Sequence, residues 1–246
     1  MALVGAAALA GGAVNAIAGG GSLITFPTLL ACGIPAVTAS ATNTVALCPG
    51  YLGAAFAQRK DMVGQRGRSL RILPGAALGG LAGAFLLMHV SPKAFDVVVP
   101  FLLLVAVVLL GVQDRLRAYL TKGEQHGESE VVAAVLVALA SVYGGFFGAG
   151  LGIIVLGVLG VVIEDTFTRL NAFKQFTTLV VNVSAAIAFV VIARLDWAVV
   201  AAMAVASLIG GVIGGAIASR VSAKRLRAIV MIIGSAVSVV YFAKLF

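Results

Sequence analysis

Charge is scarce in this chain. Only 11% of its 246 residues are charged against 61% hydrophobic, and mean hydropathy reaches +1.14. A soluble domain carries about a quarter charged residues, so a water-soluble fold is excluded, and no polar stretch is long enough for a separate globular domain. Acids are scarcer still: no Asp or Glu lies well inside any apolar run, which leaves no intramembrane carboxylate for proton or sodium coupling. The two cysteines, Cys32 and Cys48, sit in apolar sequence without CxxC or Cys/His spacing, which excludes a sequence-encoded metal or redox site; both are expected to be buried as small hydrophobes. His89 lies near the end of its run and His126 in a linker. No cofactor and no metal are implied. Residues 1–18 are apolar but lack the basic start of a signal peptide and run on into more apolar sequence, so they are expected to be retained.

Lys and Arg number 17 against 9 Asp and Glu, a balance that elsewhere suggests nucleic acid. Here the basic residues form short clusters between apolar runs, where the positive-inside rule places them, so they report topology and the partner is the lipid bilayer. The apolar runs cover 2–33, 36–57, 69–90, 94–112, 130–163, 171–193, 196–218 and 225–246. Six suit one spanning helix of about 20 residues. The first and fifth would make rods of about 48 Å against a hydrocarbon core of about 30 Å. Glycines interrupt both midway, at Gly19-Gly20-Gly21-Ser22 and at Gly148-Ala149-Gly150-Leu151-Gly152, so each reads as two short helices joined by an open turn.

The halves match at a constant offset. Gly19 and Gly150, Gly21 and Gly152, Gly79 and Gly210, Gly80 and Gly211, Gly83 and Gly214, Ser91 and Ser222, and Lys93 and Lys224 all lie 131 apart. That persistence predicts an internal repeat. Arg59, Lys60, Arg66, Arg68 and Arg71 mark one linker as cytoplasmic, while its counterpart holds only Arg194 and Asp196. The bare turn at Lys93 has a counterpart with Arg220, Lys224, Arg225 and Arg227. Topology markers that change places between halves predict an inverted repeat, each half crossing the membrane an odd number of times.

The expectation is therefore an all-α membrane protein of two inverted repeats, each a glycine-broken re-entrant helical hairpin plus three transmembrane helices. The first repeat is 1–112 (hairpin 2–33; helices 36–57, 69–90 and 94–112). A cytoplasmic linker, 113–129, precedes the second repeat, 130–246 (hairpin 130–163; helices 171–193, 196–218 and 225–246). Both termini fall on the periplasmic side. The competing reading of each broken segment is one long, tilted or kinked helix.

A hairpin tip at membrane depth exposes backbone N–H groups that must face protein or a water-filled cavity. Helix N-termini just after Gly19, Gly20 and Gly21, and after Gly150, would bring positive dipole ends to one place and favour an anion; Ser22, Leu151 and Gly152 open those helices. The glycines would also serve close helix packing alone. Thr42 and Asn43 fall early in the second run, and the offset carries Asn43 onto Lys174, within Asn171-Ala172-Phe173-Lys174-Gln175. A cation there is costly without a partner, and a transported anion supplies one; a lysine snorkelling to the interface is the structural alternative. Thr42, Asn43, Asn171 and Gln175 would add hydrogen bonds. Gly75, Gly79 and Gly83, with Gly210, Gly211, Gly214 and Gly215, have spacing suited to close helix contact.

Asn15-Ala16-Ile17-Ala18-Gly19-Gly20-Gly21-Ser22-Leu23-Ile24-Thr25-Phe26-Pro27, then Gly33-Ile34-Pro35 and Ala41-Thr42-Asn43, resembles the first-half motif of the TauE/SafE sulfite exporter family. Gly144-Gly145-Phe146-Phe147-Gly148-Ala149-Gly150-Leu151-Gly152 is similar to that family's repeat of it, and the resemblance covers essentially the whole chain. It implies a bacterial inner-membrane exporter of sulfite, sulfoacetate or a related sulfonate. Asn171-Ala172-Phe173-Lys174 departs from the small-residue pattern of Ala41-Thr42-Asn43 and leaves the substrate open. Other readings are a metal-cation permease and a non-transporting assembly subunit. An enzyme is not expected, since Ser22 has no partner His or Asp in any run. A homodimer is compatible with the sequence, which does not specify oligomeric state.

Overall fold

A computed structural model describes residues 1–17, 20–121, 129–217 and 223–243. Among these every regular element is helical: α1 (Ala2–Ile17), α2 (Ser22–Ala31), α3 (Ala36–Ala57), α4 (Arg66–His89), α5 (Pro92–Thr121), α6 (Glu130–Phe146), α7 (Leu151–Val162), α8 (Phe167–Ile192), α9 (Trp197–Ile217) and α10 (Ala223–Ala243), with one 3-10 turn at Arg59–Met62. Four helices, Arg66–His89, Pro92–Arg115, Phe167–Ile192 and Trp197–Gly214, are long and apolar enough to cross a membrane. α3 has the length, but its Ser40, Thr42, Asn43 and Thr44 dilute its apolar character, and all four are buried.

The molecule is apolar outside and polar within. Leu78, Phe85, Phe101, Val108, Ile187, Val191 and Val212 are exposed, while Thr25, Asn43, Ser141, Lys174, Gln175, Thr178 and Asn182 are buried. Water would penalise that distribution and lipid favours it. Buried hydroxyls are largely satisfied within their own helices: Thr44, Ser141 and Thr177 donate to the carbonyls of Ser40, Val137 and Phe173.

Each broken segment is two helices. The turns hold glycines with left-handed backbone, Gly20 at φ 88° in the first and Gly148 and Gly150 at 77° and 81° in the second, where a side chain would be strained. Across the first turn the Asn15 amide oxygen accepts the Gly21 N–H at 2.7 Å; across the second the Tyr143 hydroxyl donates to the Ala149 carbonyl at 2.6 Å. α6 and α7 form a hairpin whose open ends meet, the Ser129 N–H donating to the Val162 carbonyl at 3.4 Å.

Glycine rows set the remaining packing. Gly79 and Gly83 of α4 lie on the backbone of α6 at Ala138 and Val142, and Gly210 and Gly214 of α9 lie on α1 at Leu9 and Ala13. Residue numbers rise together along both contacts, so each pair is parallel. α9 also runs parallel to α3, from Ser207 on Ala46 to Val212 on Gly53. α4 runs parallel to α8, from Gln65 on Arg169 to Gly80 on Val181. α5 and α10 are antiparallel, with Pro100 beside Ser238 and Gly111 beside Met231. Element contacts recur when α1 to α5 are exchanged for α6 to α10: α4 packs on α6 as α9 on α1, α4 on α8 as α9 on α3, and α7 on α5 as α2 on α10.

Several details differ from the sequence reading. Ile17 and Phe146 close α1 and α6, and Ser22 and Leu151 open α2 and α7; both pairs are 129 apart, so the broken segments align two residues away from the 131 offset, which returns at the starts of α3 and α8, Ala36 and Phe167. The chain absorbs the difference within α7, which is two residues longer than α2, so that their ends, Ala31 and Val162, are already 131 apart. α5 continues to Thr121 rather than ending at 112, because Gln113 to Thr121 contains no glycine or proline to stop it. α8 begins at Phe167, where the Thr166 hydroxyl caps the Arg169 N–H. Cys32 is exposed, since it closes α2 at the edge of a turn, and Cys48 is half-buried, so neither is fully buried as expected. Gly19, linker residues 122–128 and the turn 218–222 lie outside the described residues.

Candidate functional site

The two glycine turns meet at one small cavity. The first half lines it with Asn15, Gly20, Ser22 and Tyr51, and the second with Gly148, Gly150, Leu151, Gly152, Lys174, Gln175 and Thr178. Its interior is about 20 Å³, room for about one water. α5 forms a wall beside both turns: a Cβ at Gly20 would lie 3.1 Å from the Leu110 side chain, and one at Gly150 would lie 3.3 Å from Leu109 and 3.6 Å from the Ala106 backbone.

Lys174 is the charged member. It is 7% exposed and extends its stem past Gly152, where a Cβ would meet its Cδ at 3.5 Å. No acid is among the buried described residues, and the described ion pairs join Arg68, Arg71 and Arg169 to Asp165 or Glu130, none of them involving Lys174. Gln175, the next residue, is 2% exposed, and its Nε2 has no partner. Among the described residues the turn and cap bonds around the second break give no backbone acceptor to the N–H groups of Gly150 and Gly152. The lining thus holds a cation and an unpartnered amide donor but no carboxylate. This suits an anion, since a desolvated donor without an acceptor is costly.

Of the residues singled out from the sequence, Gly20, Ser22, Gly150, Leu151, Gly152, Lys174 and Gln175 line this cavity. Gly21 adjoins it, but its N–H is taken by Asn15, and the Leu23 N–H by Gly20, so α2 contributes a side chain more than a bare helix end. Thr42, Asn43 and Asn171 are not in the lining. Asn43 accepts a short hydrogen bond from the Thr25 hydroxyl, Thr42 Oγ1 is buried without a partner, and the Asn171 amide donates to Gln58 Oε1 at 2.8 Å. Sequence reasoning missed Asn15, Tyr51, Gly148 and Thr178. Thr178 was reachable, being one helical turn beyond Lys174 on the same face. Tyr51 carries no local signal.

Aromatic rings pack around the second turn: Phe26 meets Phe147 edge-on at 5.1 Å, Phe147 meets Tyr143 at 6.5 Å and Phe146 meets Phe95 at 5.6 Å. At the open end of the α6 and α7 hairpin the chemistry is ionic. Asp165 accepts from Arg68 Nη1 at 2.7 Å and from Arg169 Nε at 2.8 Å. Burial pushes the Asp165 carboxyl up, but the Arg68 hydrogen bond, the Thr166 N–H and the two guanidinium charges outweigh it and hold the group below its ordinary value. Among the described residues no group of three or more His, Cys, Asp or Glu side chains could hold a metal ion.

Long apolar helices that face lipid and turn their polar groups inward, onto a small chamber between two broken segments, form a multi-pass membrane transporter. The chain belongs to the TauE/SafE family: the family described as Sulfite exporter TauE/SafE matches residues 3–241. It is similar to the probable membrane transporter protein YfcA of Escherichia coli strain K12, 24% identical over 94% of this chain and 85% of that protein. It is also similar to the probable membrane transporter protein ORF9 of a Sinorhizobium species, 28% identical over 95% and 88% of the two chains. A probable membrane transporter protein of Haemophilus influenzae is 28% identical over 80% and 76%. No solved structure matches.

Proposed function

We propose that this chain moves a small sulfur-containing anion, sulfite or a sulfonate such as sulfoacetate, across the bacterial inner membrane by alternating access between two inverted repeats, 1–112 and 130–246. The observation that carries the anion is Lys174, buried beside the unpartnered Gln175 Nε2 with no acid among the buried described residues. The family description supports sulfur as the central atom.

Inversion is supported by helix directions. α3 and α9 are parallel, as are α4 and α8, while short turns reverse the chain between α3 and α4 and between α8 and α9. Counterparts α3 and α8 then run oppositely. The bond from Ser129 to Val162 supports a re-entrant second hairpin opening beside the basic linker. The chamber has room for about one water, so it must widen to take a sulfur oxyanion. An inside-negative potential favours outward anion movement by about 2.3 kcal/mol per charge per 100 mV, enough for export without a coupling ion.

Proteoliposomes test this reading. Purified protein should give saturable sulfite or sulfonate flux, and Lys174→Ala should lower it by about thirtyfold or more, the usual scale for removing one partner of a desolvated charge pair. Unchanged flux in the variant refutes the site, and absence of flux for sulfite, thiosulfate, sulfoacetate and sulfate refutes the cargo.

A further inference from the structure

Between the cavity and one face of the molecule lies a polar layer that the anion site does not use. Asp165, in the turn between α7 and α8, bridges Arg68 of α4 and Arg169 of α8. Arg169 Nη1 donates to the Val63 carbonyl at 2.9 Å, and Gln65 Nε2 donates to the carbonyls of Asp61 at 2.8 Å and Arg169 at 3.3 Å. Two residues further along α8, Asn171 holds Gln58 at the end of α3. Lys174 follows Arg169 by five residues on α8, about 7.5 Å of rise. A solute passing from this face to Lys174 meets these bonds first.

Three observations make the layer a device that opens rather than a permanent clamp. Arg68 and Asp165 keep only 12% of their side chains exposed, yet the Arg68 Nε N–H is buried without a partner, so water entering the layer would satisfy a group that closure leaves bare. An ion pair at such a depth is nearly balanced between mutual attraction and hydration, which suits a contact that forms and breaks. The layer is also one-sided: the positions 131 away from Asp165, Arg169 and Arg68 are Ile34, Thr38 and Val199, none of them charged.

We infer that Asp165, with Arg68 and Arg169, forms an ionic gate that is closed here and parts whenever the cavity opens to the face bearing Arg68. This rests on the alternating-access reading, but its test needs no substrate, so failure of the cargo and failure of the gate are distinguishable. In a background of Cys32→Ser and Cys48→Ala, Thr178→Cys places a reporter thiol in the cavity. Labelling by a membrane-impermeant maleimide is timed in right-side-out and inside-out vesicles. Asp165→Asn should speed labelling from the Arg68 face by about tenfold, a modest population shift, and leave the other face no faster; Asp165→Glu, which keeps the negative charge between both arginines, should keep the slow rate. Equal acceleration on both faces, or none on the Arg68 face, overturns the gate. In a second arm, Arg68→Cys and Asp165→Cys are joined by a bifunctional methanethiosulfonate, which should abolish labelling from that face. A joined protein that labels as fast as the unjoined one overturns the gate equally.

Discussion

Lys174 and Asp165 sit nine positions apart in opposite electrostatic settings: the lysine lines a cavity with no acid in its lining, and the aspartate faces two guanidinium groups. Because Asp165 is held below its ordinary value, its stabilising effect is complete above the ordinary carboxylate pKa and is lost only as pH falls through the lower folded value. The melting-temperature gap between wild type and Asp165→Asn in detergent should therefore be flat from about pH 8 to about pH 5, both above the carboxylate range. A gap that closes within that window contradicts the assignment. At this scale the sequence was legible where a residue violated its surroundings. A lysine inside an apolar run announces itself, and so does a triple glycine. Tyr51 and Asn15 do not, because each reaches the cavity only through the way α1 and α3 are laid against the second half. Asn171 misled for a related reason: on a helix, three positions from Lys174 suggests a shared face, but the Gln58 amide at the end of α3 captures it.

Among the helices, close approach separates the glycines into kinds. A Cβ at Gly83 would overlap the Val142 carbonyl, and one at Gly145 the Gly80 carbonyl. Gly83→Ala and Gly145→Ala should each destabilise by about 1–3 kcal/mol, as overpacking does. Gly5 and Gly67 are helical, with nothing within 4 Å of a Cβ, so alanine there should be neutral or stabilising by about 0.5–1 kcal/mol. Thermal unfolding of the four variants in one detergent checks the order; similar melting points for all would sever the glycine rows from helix packing. The spacing of Gly79, Gly83, Gly210 and Gly214 made these contacts legible as a class, while the partners α6 and α1 were not, since spacing names one surface only. Helix ends were poorly legible for a different cause. Apolar runs mark what lipid covers, whereas helices stop at caps and turn residues, which is why α5 outruns its apolar segment and α8 starts ahead of its own.

Across the whole molecule, run length picked out the broken segments and, among the described residues, four of the six expected spans, because a membrane sets an absolute ruler. The proposed topology puts both ends of the chain on the face opposite Arg68. Alkaline phosphatase fused after Phe246 should then be active and a cytoplasm-dependent fluorescent protein fused there dark, with Lys60→Cys labelled only from the opposite face; a bright C-terminal fusion would reverse the assignment. What run length could not convey is the shared wall. Ala106, Leu109 and Leu110 of α5 stand against Gly20 on one side and Gly150 on the other. Two turns that bear on the same short stretch of one helix are not independent machines. Both halves therefore rest on one partition, a stretch from Ala106 to Leu110 that belongs to the first of them and carries no charge at all.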